Sequence, residues 1–228
     1  MINDNFKQSA LFLEVDVQLD FIEGSLKVDQ ANYTDRLENM LRLSKAAPLL
    51  VGSVDSHDFS AWEFNTNDNV GPNKEKPNFP PHCVVGTKGW LRAAYADRAD
   101  AVFVPNTALL TSDMDTWLER LDDGTTFFFM KEVYSLFANP NAKLFLDLIS
   151  RRVVTDQVVV YGIATDYCVK AAVENLITEC YDVTVVKDAI AAVDPSTEEG
   201  LLARWKELGA SISTTQEVMD TFETKEEK

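Results

Sequence analysis

Five apolar runs recur along the chain, at Leu11 to Val15, Leu49 to Val54, Thr126 to Met130, Val158 to Ile163 and Val183 to Val186. They are rich in β-branched and aromatic residues and do not alternate with polar ones, the pattern of strands buried on both faces. Helical spacing fills the intervals. The clearest case is Val169, Ala172, Val173, Leu176, Ile177 and Cys180, which form one stripe with Cys180 read as core. Further helices are predicted over Asp35 to Leu43, Asn141 to Ile149 and Thr197 to Leu208, and Ala210 to Ser213 adds a short sixth strand. Strands alternating with helices require right-handed crossovers, so the fold class is a doubly wound, Rossmann-like α/β domain. Its mostly parallel sheet should have about six strands, with helices on both faces.

A chain of 228 residues that is 46% apolar can bury a sizeable core without internal repetition, which predicts a single domain over 1–228. Residues 1–9 and 221–228 read as mobile tails, the latter almost wholly charged from Glu223 onward. The segment 63–81 breaks the rhythm: Asn, Pro, Gly and Lys crowd Asn65 to Pro81, and a loop this long predicts a lid or wall over a site. The net charge of −16 argues against nucleic acid and anionic lipid as partners, and no apolar stretch is long enough to span a membrane. Cys83, Cys168 and Cys180 cannot all pair and show no Cys-x-x-Cys spacing, so they read as free thiols of a cytoplasmic protein. A homo-oligomer stays open.

Four buried runs end in, or lead to, a residue with chemical capacity: Asp16, Asp55, Lys131 and Cys168. In a parallel sheet the carboxyl ends share one edge, where ligands bind at the reversal of strand order. A cysteine often merely fills space. Cys168, however, lies beside the apolar stripe in the first turn of a predicted helix with Thr165 as N-cap, where free N–H groups favour a thiolate and an oxyanion. Asp16 and Lys131 complete a set of thiol, proton acceptor and cation.

Both histidines of the chain, His57 and His82, flank the same long segment. Asp55-Ser56-His57 puts two ligands on one side of an extended stretch, and Glu63 and His82 add two more. Two imidazoles and two carboxylates suit Zn, Mn or Fe in the divalent state, zinc first, with room left for water or substrate.

Read together, these motifs resemble the nicotinamidases of the isochorismatase-like cysteine hydrolase superfamily, over about Leu11 to Ser213. The opening block is Val15-Asp16-Val17-Gln18-Leu19-Asp20-Phe21 followed by Glu23-Gly24-Ser25-Leu26. The metal block comprises Asp55-Ser56-His57, Glu63 and Pro80-Pro81-His82-Cys83-Val84-Val85-Gly86-Thr87. Lys131 with Tyr134-Ser135 and Phe137 matches the catalytic lysine, and Gly162-Ile163-Ala164-Thr165-Asp166-Tyr167-Cys168-Val169 the nucleophile block. The resemblance implies a cis peptide before Ala164, an oxyanion hole made by the N–H groups of Ala164 and Cys168, and a substrate ring sandwiched by Phe21 and Phe79. Three positions depart from the pattern: Glu63 stands where many relatives have His, Phe79 where Trp is common, and Tyr167 where His is common.

The activity implied is conversion of nicotinamide to nicotinic acid and ammonia, a step of pyridine nucleotide salvage, through a Cys168 thioester. Asp16 is the base, Lys131 depresses the thiol pKa, and a divalent metal orients the pyridine. The alternatives are a relative acting on another small amide or carbamoyl compound, and a non-catalytic binding protein on the same fold.

Overall fold

The computed structural model describes residues 10–28, 33–66, 71, 76–93, 101–121, 124–153 and 155–226. In chain order the elements are β1 Leu11–Val15, α1 Leu19–Ile22, α2 Tyr33–Ala46, β2 Leu50–Asp55, β3 Val102–Val104, α3 Thr111–Leu121, β4 Phe127–Lys131, α4 Ala142–Val153 and β5 Gln157–Ile163. A π-helical turn, Thr165–Val169, leads into α5 Lys170–Thr178, and then come β6 Asp182–Ala191, α6 Glu198–Glu207, β7 Ser211–Ser213 and α7 Thr215–Glu226.

The seven strands form one sheet in the order β3-β4-β2-β1-β5-β6-β7. Every strand pair is parallel. The fold class is therefore as the sequence predicts, with one strand more. The additional strand, β3, has only three residues and lies at the sheet edge, so it has no long apolar run to announce it. α3 was likewise not foreseen.

Side chains of β1 alternate between two cores. Leu11, Leu13 and Val15 face a cluster with Leu118, Phe145, Val169 and Trp205, the α3, α4, α5 and α6 side. Phe12 faces Met40, Leu43 and Val218, the α2 and α7 side. Phe222 of α7 packs its ring edge on Phe12 at 5.2 Å, so helix continues through residues that the sequence reads as a charged tail. The tail residues 1–9 and 227–228, and much of the lid segment (67–70 and 72–75), lie outside the described residues. The remainder of that segment returns by a short bridge from Phe64 to Phe79.

The Cys180 reading is corrected. Cys180 is exposed, because α5 ends at Thr178 and the chain leaves through a left-handed Cys180 at φ +66°. The periodic spacing runs two residues past the point where the helix stops.

Strand order reverses around β1. Its neighbours are β2, which leads outward to β4 and β3, and β5, which leads outward to β6 and β7. The crevice expected at such a switch point thus opens at the carboxyl ends of β1, β2 and β5. Gly162 permits the close approach there: its φ is +132°, and a Cβ would stand 2.0 Å from the carbonyl oxygen of Val15.

Candidate active site

Asp16 directly follows β1 in a left-handed conformation, φ +48°, one that aspartate tolerates better than most residues. Its carboxylate is completely buried. One oxygen accepts from Ser53 Oγ at 2.7 Å, and the other faces Lys131 Nζ at 2.7 Å. Lys131 is the last residue of β4 and reaches past the end of β2 to make this contact. On the way it passes Asp55, 3.5 Å from Oδ1, and it donates to Cys168 Sγ at 3.4 Å. Asp16 also acts on the Cys168 thiol by its charge, which raises the thiol pKa. Asp16, Lys131 and Cys168, widely separated along the chain, thus meet in one buried contact.

The charges in this knot are strongly biased. Burial opposes the Lys131 ammonium, but its neighbours, Asp16 first and then the Cys168 sulfur and Asp55, outweigh it and hold the lysine charged well above its ordinary range. Burial pushes the Cys168 thiol well up; Lys131 pulls it down, and Asp16 and Asp55 push it up further. This corrects the expectation of a depressed thiol pKa. The cation does act on the sulfur, but two carboxylates and desolvation outweigh one ammonium that is already shared.

The nucleophile sits in the π-helical turn Thr165–Val169, preceded by a cis peptide between Ile163 and Ala164 at the place the resemblance implies. Thr165 is not the cap: Ala164 occupies that position, without a side-chain hydrogen bond, and Thr165 Oγ1 is buried with no partner among the described residues. Asp166 ties the turn down instead, accepting from the N–H groups of Val193 and Asp194 at 3.0 and 2.9 Å. Ala164 and Cys168 both lie in the crevice wall, 6% and 7% exposed.

Beside the thiol lies a second buried group. Nδ1 or Nε2 of His57 and His82 and a carboxylate oxygen of Asp55 all fall within 4.8 Å of one another. His57 Nε2 is 3.0 Å from Asp55 Oδ2 and 3.1 Å from Glu63 Oε1, and His82 Nε2 is 3.2 and 3.4 Å from the same two oxygens. Donors bound at about 2.0–2.2 Å to one ion stand about 3.0–3.5 Å apart, so the spacing of the Asp55 carboxylate from the two imidazoles fits a divalent cation. Asp55, His57 and His82 thus form one compact donor group, and Glu63, the fourth predicted ligand, contacts both imidazoles without joining it. His82 Nδ1 is oriented by the Pro80 carbonyl at 2.8 Å, the outer contact that metal-binding imidazoles usually make.

Burial disfavours the charged form of Asp55, but Lys131 and the hydrogen bonds from His57 and His82 hold it well below the usual carboxylate range. Glu63 is pushed up, chiefly by burial. Burial opposes protonation of His57, but the hydrogen bond and charge of Asp55 overcome it and raise its pKa; a bound cation would displace that proton.

Aromatic rings surround His82. Phe21 and Phe79 each lie 5.8 Å from it, ring centre to ring centre, and Phe79 meets Tyr167 edge-on at 6.4 Å. Tyr134 was not singled out from sequence as a site residue. It packs on Tyr167 at 5.2 Å, and its phenol is raised to about 12 by burial and by Glu63, Tyr167, Cys168 and Asp55. Its position three residues after Lys131 was the available signal.

Parallel sheet, switch-point crevice, buried thiol–acid–amine contact and neighbouring donor cluster define the class: an α/β protein with a cysteine-centred site at the carboxyl edge of its sheet. The sequence matches the Isochorismatase domain model over residues 10–217, and the chain belongs to that family of hydrolases. A search of curated protein sequences produced no match. Among solved structures, it is similar to a nicotinamidase/pyrazinamidase from Bacillus subtilis, with 21% identity, 90% of this chain and 100% of the other covered, and a TM-score of 0.64. It is also similar to a pyrazinamidase of Pyrococcus horikoshii in complex with zinc, with 22% identity, 90% and 99% covered, and a TM-score of 0.63. An N-carbamoylsarcosine amidase from Thermoplasma acidophilum aligns with 20% identity, 91% and 97% covered, and a TM-score of 0.60. No helix among the described residues is long and apolar enough to cross a membrane.

Proposed function

We propose that the protein is an amidohydrolase that converts nicotinamide to nicotinic acid and ammonia through a Cys168 thioester. The observation that carries this reading is the three-way contact of Lys131 with Asp16 at 2.7 Å and Cys168 at 3.4 Å, directly beside the Asp55, His57 and His82 donors. Nucleophile, base and cation converge next to a group that can orient a substrate.

The raised thiol pKa shapes the first half-reaction. Asp16 takes the Cys168 proton as sulfur attacks the carboxamide carbon, so no free thiolate needs to accumulate. The N–H groups of Ala164 and Cys168 receive the oxyanion, and Lys131 balances the negative charge that stays in the knot. Asp16 returns the proton to the departing amine as the C–N bond breaks, releasing ammonia and leaving a thioester. Asp16 then draws a proton from water as its oxygen attacks; the C–S bond breaks, the proton passes to sulfur, and nicotinic acid is released. Phe21, Phe79 and Tyr167 enclose the ring. Asp55, His57, Glu63 and His82 would hold a divalent cation, zinc by preference, whose chemistry is to bind and align the pyridine nitrogen.

The alternative substrate, another small amide or a carbamoyl compound, draws support from the similarity to the N-carbamoylsarcosine amidase. The test is ammonia release from nicotinamide and from benzamide, by native protein and by Cys168→Ala. Nicotinamide turnover abolished in the variant, with benzamide a poor substrate, is the expected result. Equal turnover of both amides would move the reading to a general small-amide hydrolase. Undiminished turnover by Cys168→Ala would end it.

A further inference from the structure

Gln18 lies two residues beyond Asp16, where β1 has already ended and the left-handed Asp16 has turned the chain off the ladder. Its side chain continues that ladder. The Gln18 carbonyl oxygen accepts from the N–H of Asp55 at 2.7 Å, and its Nε2 donates to the Asp55 carbonyl at 2.8 Å. A side-chain amide thus takes the place of a backbone peptide, with one acceptor and one donor presented to both main-chain groups of a single residue. The second Nε2 hydrogen reaches the Trp90 carbonyl at 2.9 Å, and Trp90 Nε1 donates to Ser56 Oγ at 2.9 Å, which closes a ring around Asp55 and Ser56. On its other side Asp55 is registered against Lys131 of β4. Gln18 is fully buried, so each of these hydrogen bonds is made out of competition with water.

The side chain of the residue so held belongs to two sites at once. Asp55 Oδ1 faces Lys131, and Asp55 Oδ2 faces both His57 and His82. A rotation of its backbone would move one oxygen away from the amine and the other away from the imidazoles. Two positions further on, Asp20 grips the other end of the donor set, accepting from the N–H of Cys83, next to His82, at 2.7 Å.

We propose that Gln18 is a positioning residue that fixes Asp55 as a metal donor, so that the turn carrying the base Asp16 also sets the affinity of the cation site. The inference rests on the metal-binding reading of Asp55, His57, Glu63 and His82. Outer contacts of this kind typically change metal affinity by about 10–100-fold.

The test measures zinc affinity by competition with a chromophoric chelator for native protein, Gln18→Met and Gln18→Glu, with thermal unfolding of the metal-free proteins alongside. Methionine keeps the volume and removes all three hydrogen bonds. Glutamate keeps the acceptor for the Asp55 N–H but sets an oxygen against two carbonyls. The expected result is a zinc affinity about 10–100-fold weaker in Gln18→Met, read at a temperature where the metal-free variant is still folded, since the loss of partners for three buried backbone groups also lowers its unfolding temperature. The nicotinamide KM should then rise at limiting zinc and recover at saturating zinc. Unchanged zinc affinity overturns the proposal. So does failure of both variants to fold, since Gln18 would then serve the fold and not the donor. If native protein binds no zinc, manganese or iron, it is the metal-site reading that fails.

Discussion

Lys131 and Asp16 form a wholly buried ion pair, 2.7 Å apart, joining the ends of two strands that are not neighbours in the sheet. β2 lies between them and contributes Asp55, which faces the same amine at 3.5 Å. The pair is the link between nucleophile and donor cluster, since Lys131 donates to Cys168 and also faces Asp55. Lys131→Met should therefore leave two carboxylates without their cation and lower kcat/KM for nicotinamide by about 100- to 1,000-fold, the usual scale for removing one stabilising charge. Asp16→Asn, which removes the proton acceptor, should cost about 100- to 10,000-fold. Steady-state ammonia release with circular dichroism on the same samples checks both; either variant retaining native kcat/KM would refute its role.

The thiol of Cys168 is raised well above its ordinary pKa. With the folded pKa above the unfolded value, the folded state holds its proton more tightly. This thiol's contribution to stability is complete below the unfolded value and is lost as pH rises through the folded one. In the absence of substrate, iodoacetamide should react with Cys168 slowly at neutral pH and accelerate only above the range of an ordinary thiol, about 8.5. Lys131→Met should retard it further. Mass-spectrometric rates across pH measure this; fast alkylation at neutral pH would show a thiolate at rest.

The donor atoms of Asp55, His57 and His82 lie within 4.8 Å of one another, a spacing that fits one cation, and a chelated protein should lose metal and nicotinamide turnover together. Adding zinc, manganese or iron should restore both. Asp55→Ala should not retain stoichiometric metal by elemental analysis, and retention at the native level would remove Asp55 from the ligand set.

Arg92 and Glu14 form another buried ion pair, with Nε and Nη2 at 2.8 and 2.7 Å from the same carboxylate oxygen and the guanidinium 3.7 Å above the Phe128 ring. Arg92→Met should cost about 3–5 kcal/mol by leaving Glu14 buried and unpaired, and Glu14→Gln combined with Arg92→Met should recover part of it. Chemical denaturation of the single and double variants distinguishes this from a packing loss, which the second change would not repair.

Tyr134 packs on Tyr167 at the crevice. Tyr134→Ala should raise the nicotinamide KM by about 2- to 12-fold, equivalent to the ~0.5–1.5 kcal/mol of one aromatic contact, with a smaller change in kcat. An unaltered KM would place the ring outside the substrate's reach.

Much of this was legible in the linear chain. Strands buried on both faces admit few polar residues, so β1, β2, β4 and β5 stand out as apolar runs, and the chemical residues Asp16, Asp55 and Lys131 stand out at their ends. The four metal-type donors were countable because the chain has only two histidines. Other features were hidden. β3 is too short to show a period, and Cys180 continues a helical spacing that the backbone abandons. Tyr134 has no pattern of its own, because its role comes from what faces it.

The order and kind of the elements, and the identity of the reactive groups, thus belong to the sequence, since burial on two faces and helical periodicity leave their mark residue by residue. Tertiary structure alone decided the state of those groups. Whether Cys168 rests as a thiol depends on how far it is desolvated and how one ammonium is divided among Asp16, Asp55 and sulfur. That Gln18 completes the backbone pairing of Asp55 depends on a strand ending one residue before a left-handed turn. Both are outcomes of distance and dielectric, which exist only once the strands lie side by side.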